Sequence, residues 1–152
     1  MSQSMADLDT FKMDDVIWID LFSPSGDEKR ATEKFLNTEI QSRARAEEIE
    51  SSSRFSETET AIFANTNFLI PGPEEYSMEP VSFTLVENVL TTLRDVPLRS
   101  FTELQRKMQA LPRLFPNGYW VFVSIMDQRV DLDADMIELM SKEIAQYSRR
   151  VN

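Results

Sequence analysis

The side chains best placed for chemistry in this chain are carboxylates set in a column. Asp127, Asp131, Asp135 and Glu138 are spaced by four, four and three residues, which puts them on one face of a helix. Like charges one helical turn apart repel by roughly a few tenths of a kcal/mol per pair, so the column needs an offset. Arg129 and Lys142 are close enough in sequence to supply part of it. Two readings follow: the solvated face of an ordinary helix, or a face that responds to cations.

Composition narrows the chemistry further. The 152 residues include no histidine and no cysteine, which removes disulfides, thiol nucleophiles, imidazole bases and the usual zinc or iron ligands together. A metal held here would be held by oxygen, which suits hard ions such as magnesium or calcium. Paired carboxylates suggest a hydrolase, but the sequence has no His or Cys to stand beside them as base or nucleophile. There is also no glycine-rich phosphate loop and no nucleophile elbow, so the expectation is that the chain is not an enzyme. No organic cofactor is expected either.

The formal charge of −10 is unevenly spread. Residues 1–80 carry 17 acids against 7 bases, while residues 81–152 carry 9 of each. Such a field disfavours nucleic acid and anionic headgroups and favours cations, although an acidic surface also serves solubility. Residues 1–15 lack the basic lead and apolar core of a signal peptide. The longest nearly apolar run, residues 119–126, is far short of the about 20 residues a membrane-spanning helix needs.

The elements that must position these groups are legible from periodicity. A loose lead-in is expected over residues 1–13. Residues 16–22 form a continuous β-branched and aromatic run, read as a strand covered on both faces. Ser25 or Asp27 can cap a helix that ends on Phe35 and Leu36, and a second, outlying helix is expected over residues 40–49. Residues 54–60 and 61–70 alternate as two antiparallel strands with a bend near Glu59 or Thr60. Pro71-Gly72-Pro73 is a turn, and residues 74–79 an exposed loop. Residues 81–86 and 89–94 read as a hairpin joined at Glu87-Asn88. Ser100 is expected to cap a helix carrying Phe101, Leu104, Met108 and Leu111, stopped by Pro112. From Asn117 a long helix runs toward the end, with Tyr119, Phe122, Met126, Val130, Ile137, Met140, Ile144, Tyr147 and Val151 as its apolar row. Trp18 and Trp120 both lie in apolar runs and are expected in the core. Ser51-Ser52-Ser53 with Arg54 reads as a helix-to-strand turn rather than a phosphate motif. The sum is one α/β domain over residues 1–152: a mixed, largely antiparallel β-sheet sandwiched between helices, ending in a long C-terminal helix.

Three blocks carry a family resemblance. Residues 17–21 followed by Ser23-Pro24 form the first, and Glu47-Glu48-Ile49-Glu50 with Ser52-Ser53-Arg54 the second. Tyr119, Ile125, Asp127, Val130-Asp131, Ile137-Glu138 and Glu143-Ile144 form the third. In this order and spacing they resemble the cytoplasmic part of CorA-type divalent metal ion transporters, and Arg94 followed by Asp95 is similar to that family's strand end. The resemblance implies the soluble-domain fold of that family, and a chain leading through residues 117–152 toward a stalk and two membrane helices absent from this sequence. It also implies a homopentamer when full length, at the cytoplasmic face of the inner membrane, with magnesium or cobalt as cargo, or zinc in a related branch. In the family an acidic residue at the second block faces a neighbouring subunit's stalk, and a divalent ion between them holds the closed state. By resemblance that role falls on Glu47 or Glu48, with Glu50 adjacent, and a regulatory divalent cation such as Mg2+ is the implied ligand. A free-standing acidic interaction domain is the alternative from another class.

Overall fold

The computed structural model describes residues 5–40 and 55–151. The run at residues 16–22 folds as β1 (Trp18–Phe22), and Ser25 caps α1 (Gly26–Leu36) through a reciprocal capping box with Glu28. Helix α1 stops at Asn37, whose left-handed φ of 51° is one that asparagine tolerates. Strands β2 (Phe55–Glu57), β3 (Ala61–Pro71), β4 (Tyr76–Val86) and β5 (Val89–Arg94) follow, then α2 (Arg99–Ala110) and α3 (Gly118–Val151). The sheet order is β1-β5-β4-β3-β2, with β1 parallel to β5 and every other pair antiparallel. This is the mixed, largely antiparallel sheet with helices that the sequence predicts.

Strand period two divides the core between the two faces of the sheet. Phe68, Val81, Phe83 and Leu90 face α2 and α3, where they meet Phe101, Leu104, Val121 and Ile125. Ile19, Leu21, Ala61, Val86 and Val89 face the other way, with Leu8, Leu36 and Ile40. Strand β1 contributes Trp18 to the first layer and Ile19 and Leu21 to the second. An edge strand covered on both faces therefore reads as an unbroken apolar run.

Several expectations are corrected. The lead-in is not loose throughout, since Met5–Thr10 and Met13–Asp15 form 3-10 turns and Leu8 is buried. Residues 76–80 are strand rather than loop, because β4 pairs with β3 as far as Pro71–Tyr76. Pro80 is tolerated there because β5 reaches only Ser82, leaving the proline on an open edge. Helix α2 starts two residues earlier than expected, with Leu98 as its N-cap and no side-chain cap bond, so Ser100 is not the cap. The bend before β3 is built by Thr58, whose hydroxyl accepts the amides of Thr60 and Ala61, so no glycine is needed. The expected helix at residues 40–49 lies, beyond Ile40, outside the described residues.

The start of α3 is fixed by contact. The Gly118 amide donates to the Asn88 carbonyl at 2.7 Å, and a Cβ on Gly118 would lie 2.4 Å from the Leu90 nitrogen. From that point α3 runs back along β4, placing Phe122 against Phe83 and Arg129 over Phe68. Its buried residues in these turns are Val121 and Ile125, whereas Tyr119 and Val130 from the expected apolar row are exposed. Trp120 is also exposed, at 48%, so only Trp18 of the two tryptophans joins the core.

Candidate functional site

The carboxylate column lies on α3, as its spacing predicts. Asp127 is exposed, and Glu138 is exposed and paired with Lys142 at 3.4 Å, so the offset expected of Lys142 is in place. The Arg129 guanidinium lies 5.8 Å from the centroid of the Phe68 ring. The side chains of Asp131 and Asp135, and all of Glu47, Glu48 and Glu50, lie outside the described residues. Among the described residues no three acidic side chains converge on a point where a metal ion would fit.

The polar group that the fold does assemble lies on the sheet between β1 and β5. Register places Asp20 beside Thr92 and Phe22 beside Arg94. Trp18 Nε1 donates to Thr92 Oγ1 at 3.0 Å, and the same hydroxyl donates to Asp20 Oδ1 at 2.8 Å. Arg94 grips the carboxylate with two nitrogens, Nε to Oδ1 at 3.0 Å and an Nη to Oδ2 at 2.7 Å, while its other Nη donates to the Val96 carbonyl at 2.8 Å. The two charged side chains are only 11% and 13% exposed. Above them the guanidinium is stacked between the rings of Phe22 and Phe101, at 4.5 and 5.2 Å. A buried charge pair is tolerated only when such bonds satisfy its remaining donors and acceptors, as they do here.

Chemically this network is a clamp. It ties the parallel β1–β5 edge to the loop before α2 and leaves no nucleophile beside a free base. Trp18 and Arg94 are legible in the sequence as a core aromatic and a strand end. The sequence signal for Asp20 is an acid inside an otherwise apolar run, which in a folded chain demands a cation at hydrogen-bond distance. Which cation answers it is set by pairing 74 residues away.

The sequence of the chain matches that of the CorA-like Mg2+ transporter protein family over residues 13–152. It is 36% identical over 133 residues to the magnesium transport protein CorA of Wolinella succinogenes, covering 84% of this chain and 41% of that protein. The chain thus spans about two fifths of that relative. In three dimensions it resembles the soluble domain of CorA from Methanocaldococcus jannaschii, with a TM-score of 0.56 at 15% identity over 84% of this chain and 55% of that one. It also resembles the ZntB cytoplasmic domain from Vibrio parahaemolyticus, with a TM-score of 0.53 at 16% identity over 80% and 51%. Among the described residues no helix is long and apolar enough to cross a membrane. The match over residues 13–152, together with a shared arrangement of sheet and helices, establishes that this chain belongs to the CorA-like Mg2+ transporter protein family.

Proposed function

We propose that the chain is the cytoplasmic, metal-sensing part of a magnesium transporter that works as a homo-oligomer, a pentamer when full length, at the inner membrane. The observation that carries this reading is the 36% identity to a magnesium transport protein. In this reading the chain is not an enzyme. Its acidic first half meets an acidic surface of a neighbouring subunit, and a divalent cation between the two turns repulsion into a bridge. Glu47 or Glu48, with Glu50, holds the ion, and the column at Asp127, Asp131 and Asp135 is a weaker second place for it. Loss of the ion loosens the interface and biases the pore toward opening. Magnesium is preferred over zinc because the chain offers only oxygen donors, with no histidine or cysteine. The likeness to a ZntB domain is one of fold.

Thermal unfolding and sedimentation with and without millimolar magnesium test the reading, with Glu47→Ala and Glu48→Ala in parallel. Magnesium should raise the melting temperature or drive association, and one of the two substitutions should abolish the effect. If neither quantity responds to magnesium, this part of the protein is not the sensor.

A further inference from the structure

Two exposed surfaces at opposite ends of β4 are complementary in charge and in apolar character. The first is the corner between α2 and α3. Leu111, Leu114, Tyr119 and Trp120 are each about half exposed there, and the rings of Tyr119 and Trp120 meet edge to face at 6.0 Å. Arg106, Lys107 and Arg113 flank them, are exposed, and form no ion pair among the described residues. Four large apolar side chains clustered within ten residues, beside three exposed cations, are the composition of an interaction surface.

The second surface is the tip of the β3–β4 hairpin. Beyond Ala64 on β3 and before Ser82 on β4 the two strands have no third neighbour among the described residues, so they project as a ribbon. The tip is closed by the Gly72 amide donating to the Glu75 carbonyl at 2.9 Å. It presents Glu74, Glu75, Pro71, Pro73 and Met78, all exposed. Acids and rigid apolar rings at the tip match the cations and aromatic faces of the corner.

The fold keeps the two apart. The corner is pinned to the turn that ends β4, through Gly118 and Asn88, while the tip begins the same strand. Eleven residues of strand put about 35 Å between them, so neither can satisfy the other within one chain. We propose that the acidic hairpin tip of one copy docks on the basic aromatic corner of a second copy. Because the two surfaces differ, the contact is head-to-tail, the kind that propagates into a ring when its rotation closes. It uses no metal ion and stands independently of the sensing reading above.

Sedimentation velocity of the whole chain in EDTA, over a wide range of protein concentration at low and high salt, tests the contact. Association should appear at low salt and weaken as salt rises. Arg106→Glu with Arg113→Glu should weaken it about tenfold or more, and so should Glu74→Lys with Glu75→Lys, each with unchanged circular dichroism. Trp120→Ala should weaken it without altering its salt dependence. Mixing the corner variant with the tip variant should restore association, because each tip then meets a corner of opposite sign. A chain that stays monomeric in EDTA overturns the proposal, as does association that the mixture fails to restore. A metal-dependent association would appear only when magnesium replaces the chelator, so the two readings fail separately.

Discussion

Gly118 and Asn88 are joined by a 2.7 Å hydrogen bond from amide to carbonyl, with no room for a side chain between them. The same few ångströms hold the Ile17 carbonyl, which accepts from the Leu90 amide at 2.9 Å and would lie 2.9 Å from a Cβ on Gly118. The first turn of the longest helix is therefore seated directly on the backbone where β1, β5 and the β4–β5 turn meet. Glycine is required by this close approach, since its φ is not in the left-handed region.

Gly118→Ala should accordingly destabilise the chain strongly, toward the upper end of the about 1–3 kcal/mol typical of overpacking. The clash is with backbone atoms, which cannot turn aside as a side chain can. Urea unfolding measures the loss, and a variant as stable as the parent would show that α3 does not sit on this edge.

The Asp20–Arg94 pair predicts an asymmetric result in a mutant cycle. Asp20→Ala leaves a nearly buried guanidinium without its carboxylate and should cost about 3–5 kcal/mol. Asp20→Leu combined with Arg94→Met removes both charges and should recover most of that loss. Equal instability of the single and double variants would mean that the clamp acts through shape, with charge playing no part.

Glu87 begins the β4–β5 turn with φ at 51°, a left-handed conformation that costs a residue with a Cβ about 1–2 kcal/mol. Glu87→Gly relieves this at some cost in unfolded-chain entropy, for a net gain of about 0.5–1 kcal/mol. Thermal unfolding should register a rise of a few degrees, and Glu87→Val a fall. The reverse order would place the strain elsewhere.

Much of this architecture is fixed locally and is therefore legible in the sequence. Alternation at residues 81–86 and 89–94, the Pro71-Gly72-Pro73 turn, the Ser25 cap and the three- and four-residue steps of the last helix each depend on neighbours a few residues away. The absence of histidine and cysteine likewise confines any metal to oxygen ligands, whatever the fold. What tertiary structure alone decided is which of several apolar or charged residues face inward. Periodicity gives α3 an apolar row through Tyr119, Phe122, Met126 and Val130, but the sheet lies under Val121, Phe122, Ile125 and Met126, so Tyr119 and Val130, with Trp120, are left in solvent. Asp20 looks like an interruption in a strand until the parallel register with β5 brings Arg94 to it. The strand at residues 76–80 looks like a loop until β3 offers it a partner and β5 stops short of Pro80. Local patterns specify which elements form. The pairing of distant strands, which depends on the summed packing of the whole chain, specifies which faces and charges meet.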